Sequence, residues 1–177
     1  DDWIGKRVLV NWTPEPYPEV IPAWYRFRLA NAAKARMLPA PLIQGERALT
    51  MQLIGTDGGL LERAWPVDDV FLAPAQRIDV LVDFSALKPG ERVMLRSLDF
   101  VAMENEDESG AFLPDPMADH PGAAAMGEPL DLMEVRVIEC ATDKRPPAHL
   151  PDLSAISSIG PLPDTTDWPV RALRCAL

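Results

Sequence analysis

The sequence predicts an all-β domain, a sandwich or barrel of short antiparallel strands. Nineteen prolines and ten glycines are scattered through 177 residues, cutting the chain into runs too short for ordinary helices. Between these breaks stand short segments rich in Val, Leu, Ile and Phe, which read as strands separated by turns. Two of them alternate strictly between apolar and polar side chains, the period-two signature of a strand with one face in a core.

Taken in order, the first candidate strand is 6–11. Residues 24–30, Trp-Tyr-Arg-Phe-Arg-Leu-Ala, place Tyr25, Phe27 and Leu29 on one face and Arg26 and Arg28 on the other. A strand at 49–55 runs into Ile54-Gly55-Thr56-Asp57-Gly58-Gly59, where Asp57-Gly58 reads as a hairpin turn. A phosphate-binding loop would need its glycines at fixed spacing and opening into a helix, and Pro66 argues against a helix there. Next come 66–73 and the clearest strand, 77–84, with Ile78, Val80, Val82 and Phe84 inward and Asp79 and Asp83 outward beside Arg77 and Arg26. Candidates at 91–98 and 131–139 bring the total to about seven, the spacing expected of a sandwich or barrel.

One domain with a tail fits this length. Residues 1–145 form the domain, with 101–130 a long acidic loop, since connections of this length without periodicity are functional lids or disordered segments. Residues 146–177 form a Pro-rich linker that ends in a possible first strand of a following domain, Val170–Cys175. The chain opens on Asp1 with no signal-peptide layout near it, as a processed form or an excised piece would.

Charge excludes one class of partner. The net charge is −10, and residues 101–150 hold eleven acidic side chains against three basic ones. With no basic surplus to displace counterions from phosphates, nucleic acid is not expected, and no apolar run is long enough to span a bilayer as a helix. Cys140 and Cys175 are the only cysteines; they could bridge, adding about 2–4 kcal/mol, or remain two thiols.

Catalytic constellations are scarce. The two histidines, His120 and His149, stand in the loop and the linker, and no His-X-His, Cys-X-X-Cys, His-Glu-X-X-His or Gly-X-Ser-X-Gly occurs. No catalytic or cofactor-binding residue is assigned. The metal candidates are Met103, Met117, His120 and Met126 in the acidic loop, because thioethers are soft ligands suited to Cu(I).

Three stretches, Tyr25-Arg-Phe-Arg-Leu-Ala-Asn-Ala-Ala-Lys-Ala-Arg36, Leu53-Ile-Gly-Thr-Asp-Gly-Gly-Leu-Leu-Glu62 and Phe71-Leu-Ala-Pro-Ala-Gln-Arg-Ile-Asp-Val-Leu-Val-Asp-Phe84, resemble in order and spacing the middle cupredoxin-like domain of three-domain multicopper oxidases. Leu87–Ser97 resembles the strand that follows, and the likeness covers roughly 6–100 directly and 131–139 more loosely. Two positions depart from the family pattern. Trp12 follows Asn11 where Gly is usual, so the hairpin is expected to open into a longer loop through Thr13-Pro14-Glu15-Pro16. Pro74-Ala75-Gln76-Arg77 replaces Pro-Gly-Glu-Arg, which requires a turn without Gly at position 75.

The resemblance implies a cupredoxin-like Greek-key β-sandwich or barrel without copper ligands of its own. In these oxidases the copper sites belong to the first and third domains, and the middle one spaces and orients them and can wall the substrate entrance. It implies neighbouring cupredoxin domains of the same parent as partners, copper in the parent rather than in this chain, and a periplasmic, secreted or envelope location. Some proteins resembling the family have lost their copper ligands and act as interaction modules, so this alternative stands beside the oxidase. A third role, with the acidic Met-containing loop 101–130 gating or delivering copper, is also open.

Overall fold

The computed structural model describes residues 5–100, 121–124 and 127–140. Most of the acidic insert, the Pro-rich segment and the strand expected at 170–175 lie outside the described residues. Among those described there are thirteen strands and no helix. In chain order they are β1 (Leu9–Val10), β2 (Thr13–Pro14), β3 (Glu19–Val20), β4 (Trp24–Ala30), β5 (Leu38–Pro39), β6 (Leu42–Gln44), β7 (Arg47–Leu49), β8 (Met51–Thr56), β9 (Gly59–Val67), β10 (Phe71–Leu72), β11 (Arg77–Asp83), β12 (Arg92–Ser97) and β13 (Leu130–Val137).

Two sheets carry the fold. One runs β4-β11-β8-β9 and the other β3-β13-β12-β6-β7, with the small pairs β1-β2 and β5-β10 beside them. Neighbours pair antiparallel except β3, which runs parallel to β13. The core lies between apolar faces: Met51, Val80 and Val82 from the first sheet, Leu42, Val93, Val135 and Val137 from the second, all buried. Phe84, just past β11 and fully buried, sets its ring 5.8 Å from Tyr25 and 6.1 Å from Phe27, both tilted or edge-on. Such aromatic pairs stabilise by about 0.5–1.5 kcal/mol beyond the area they bury.

The two alternating segments fold as their patterns require. Tyr25, Phe27 and Leu29 of β4 pack on the core while Arg26 and Arg28 face water. β11 pairs with β4 on one side and β8 on the other, and on this central strand Leu81 is buried too. The strand expected at 66–73 is corrected. Strand β9, paired with β8, runs from Gly59 to Val67, and Phe71–Leu72 is a separate short strand paired with β5. The turn at Asp57-Gly58 brings the chain straight back onto β8, so pairing starts at Thr56 with Gly59. β9 is an edge, where Pro66 leaves no inner ladder bond unmade, and the guanidinium of Arg63 lies 3.8 Å over the exposed Trp65 ring.

The loop expected after Trp12 is also corrected. Val10 pairs with Thr13 and Leu9 with Pro14, closing a two-residue hairpin over Asn11 and Trp12, whose φ angles are 51° and 65°. Two positive φ angles in sequence match the right-handed twist of the strands they join, so the chain adopts this turn although a tryptophan there costs about 1–2 kcal/mol. The turn without Gly at position 75 forms as the sequence requires. Ala75 has φ 67°, Pro74 precedes it, and Gln76 N donates to Ala73 O at 3.1 Å, a type II turn with Ala in the glycine position.

Described parts of the insert bond the domain at two places, Gly122 and Ala123 to the Gly5–Lys6 segment and Gly127 to Phe100. Phe100 N donates to Gly127 O at 3.3 Å. Gly127 has φ 79°, and a Cβ there would lie 1.9 Å from Phe100 O, so no other residue fits.

Gly127→Ala should therefore cost about 2–3 kcal/mol, and Phe84→Ala about 3–5 kcal/mol. Ala75→Gly should gain up to about 1 kcal/mol, strain relief exceeding the added freedom of the unfolded chain. Urea denaturation of the three variants checks both signs.

Candidate functional site

The four loop candidates for metal binding, Met103, Met117, His120 and Met126, lie outside the described residues. Among the described residues no three His, Cys, Asp or Glu side chains come together as a metal site, and the space between the sheets is filled by aliphatic and aromatic groups. These residues do not fit a copper ion.

The glycine-rich stretch is answered by its neighbours. Asp57 accepts hydrogen bonds from the backbone N and the Nε of Arg77, so its carboxylate closes the β8–β9 turn onto β11. Positive φ falls on Gly59, at 115°, and on neither Asp57 nor Gly58. A Cβ on Gly55 would stand 3.2 Å from Gly59 O and 3.3 Å from Asp79 Cβ; glycine there lets the hairpin close over the Asp79 side chain.

Beside this turn is an open groove of about 320 Å³, lined by Arg28, Leu29, Ala30, Thr56, Arg77, Ile78 and Asp79. Its charges are already matched. Asp79 pairs with Arg26 and, at 3.5 Å, with Arg28, while Arg77 pairs with Asp57. The sequence leaves Asp79 with Arg26 and Arg77 as neighbours; the structure gives it Arg26 and Arg28. Hydrogen bonds from the Arg77 side chain and backbone hold the Asp57 carboxyl below the usual range. On the other sheet the Arg136 side chain, then Arg92, holds Glu134 down against partial desolvation, and Asp131 raises Arg96. Exposed pairs of this kind contribute little each. They fix side-chain positions and present no nucleophile with a base.

Asn31 is a structural tie that pattern reading misses. Buried at the end of β4, it donates from Nδ2 to Arg36 O at 2.7 Å and Leu72 O at 2.9 Å and accepts at Oδ1 from Ala33 N at 3.0 Å. Its backbone N and O bond Gln76 O and Ala75 N at 3.0 and 2.8 Å. One residue thus ties the 31–36 loop, β10 and the turn before β11. An asparagine directly after a strictly alternating strand is the signal that could have found it. Arg36 is buried as well, with Nη2 donating to Glu128 O and Nε and Nη1 without hydrogen-bond partners. Burial pushes its guanidinium down from the ordinary value, and Glu128 acts the other way.

Asn31→Ala strips partners from two carbonyls and one amide and should cost about 2–4 kcal/mol in urea denaturation. Asp57 and Glu134, with folded-state values below their unfolded ones, stabilise the fold above the unfolded values and lose that contribution as pH falls through the folded ones. NMR titration should put both midpoints below the ordinary values for their side chains, and Arg77→Met, which keeps only the backbone donor, should raise that of Asp57.

No protein-family model matches the chain. It is 42% identical over 91 residues to a laccase of Bacillus subtilis, covering 51% of this chain and 17% of the laccase. It is 38% identical over 86 residues to the cell division protein FtsP of Xenorhabdus nematophila, covering 49% of this chain and 18% of FtsP. A solved structure, the 2F4 variant of the McoA multicopper oxidase from Aquifex aeolicus, matches with TM-score 0.64 at 30% identity over 83% of this chain and 28% of that one. The chain therefore spans less than a fifth of the length of these two curated relatives. With sequence kinship over about half its length and a shared backbone over most of it, this chain is a cupredoxin-like β-sandwich homologous to proteins of the multicopper oxidase family.

Proposed function

We propose that this chain is the middle, non-catalytic domain of a multicopper oxidase. It holds the copper-bearing first and third domains in register and lines part of the substrate entrance. The observation that carries this reading is the proportion of the structural match: 83% of this chain covers only 28% of the McoA oxidase, as expected of one domain in a larger enzyme. The ion-paired faces and the apolar core fit a spacer, whose task is to keep its shape under load from both sides. The parent reaction is the one-electron oxidation of substrates coupled to reduction of dioxygen to water, with the copper chemistry supplied by the other domains. Kinship to laccases and to FtsP supports a periplasmic, secreted or envelope location.

A second reading has its own observation. The match to FtsP, a cell division protein, favours a copper-free interaction module of the envelope.

Purified full-length protein decides between them by copper analysis and oxygen uptake with a phenolic reductant. The oxidase reading expects stoichiometric copper and oxygen consumption in the parent, with neither in the 177-residue chain. A copper-free, inert parent selects the interaction module, and stoichiometric copper held by this chain alone rejects both. Deleting 101–130 from the parent is expected to leave copper loading and turnover unchanged; a loss of copper uptake assigns the Met-containing loop a delivery role.

A further inference from the structure

The β1–β2 hairpin places a tryptophan in its turn and leaves that side chain uncovered. Asn11, Trp12 and Glu15 all have positive φ, at 51°, 65° and 49°, a region where an L side chain crowds its own backbone. The strand pairs on either side hold this backbone in place, while the Trp12 side chain itself is 91% exposed. Leu9 and Tyr17 nearby in the chain are 48% and 55% exposed. Tyr17 is held ready for contact, with the Arg136 guanidinium 3.8 Å over its ring and Arg136 Nε fixed 2.6 Å from Glu134. The segment that follows the hairpin is anchored along β13, where Glu134 N donates to Pro16 O at 3.1 Å and Arg136 N to Pro18 O at 3.0 Å. Leu9, Trp12 and Tyr17 are thus exposed on a hairpin and on the segment after it, which is braced against β13.

We propose that Trp12, flanked by Leu9 and Tyr17, anchors an interface with another domain of the same polypeptide, its indole entering an apolar pocket there. This rests on the reading of the chain as one domain of a longer protein. The matching segments of the B. subtilis laccase and of McoA make up 17% and 28% of their chains, so in each relative other parts of the polypeptide are available to cover this edge. Tryptophan is the residue type that most often dominates such contacts. Lys6, Arg7, Glu15 and Glu19, close to them in the chain, are exposed, polar groups of the kind that form the rim of an interface.

The test is 5-fluorotryptophan labelling, with the Trp12 fluorine signal assigned by its loss in Trp12→Phe. In the 177-residue chain the signal is expected to shift fully between light and heavy water, and in the full-length parent to lose most of that shift. Trp12→Gly is expected to raise the melting temperature of the isolated chain, by relieving the backbone, and to lower that of the parent by about 2–4 °C. An undiminished solvent shift in the parent, or an equal rise in both melting temperatures, overturns the proposal. So does a solvent shift in the isolated chain that fades with rising concentration, which makes a second copy the occupant. Copper content of the same parent samples reports on the oxidase reading separately, since a copper-free parent with a protected Trp12 rejects the oxidase and keeps the interface.

Discussion

Val80 and Val82 of one sheet have to meet Val93, Val135 and Val137 of the other without a polar atom between them, and the remaining structure is arranged so that they do. Each strand supplies one apolar face, and burial is the dominant favourable term in folding such a pair of layers. Phe84 seals the layer where β11 ends, wedged against Tyr25 and Phe27. Apart from the buried Arg36, the charged pairs stand on the outer faces, where Asp79, Asp57 and Glu134 each find arginine partners. Side chains fill the space between the two sheets, and the functional reading rests on kinship rather than on a site in the core.

Closing two sheets over one core requires the connections to be tied down, and here a few residues do it. Asn31 satisfies all its polar contacts inside the fold and draws three segments to the end of β4. Gly127 lets the chain pass against Phe100 where the insert begins and ends. Because an unmet buried polar group costs more than a met one contributes, these positions tolerate substitution less than the surface pairs do. Rigidity of this kind suits a part that transmits the relative positions of its neighbours.

Backbone strain gathers at the surface. Ala75 and Trp12 both take the conformation that glycine would take freely. At Ala75 the hydrogen bonds to Asn31 and Ala73 hold the turn in place. At Trp12 the pairs Val10–Thr13 and Leu9–Pro14 close the turn, and the indole is left exposed.

The sequence by itself determined the all-β class, the two alternating strands with Tyr25, Phe27, Val80 and Val82 turned inward, and the turn at Asp57-Gly58. These depend on local periodicity and turn chemistry, which neighbouring residues encode. It left β2, β3, β5, β6 and β7 unread, since strands of two or three residues carry too few positions for a period and exist only through their partners. The extent of β9 and the closure of the Asn11-Trp12 hairpin were likewise decided by tertiary structure. Pairing energy and strand twist can outweigh the preference of a single tryptophan, and a purely local rule has no access to either. The partners of Asn31 and the exposure of Trp12 are set by segments up to 41 residues away and by the packing of whole sheets, so only the assembled fold could assign them.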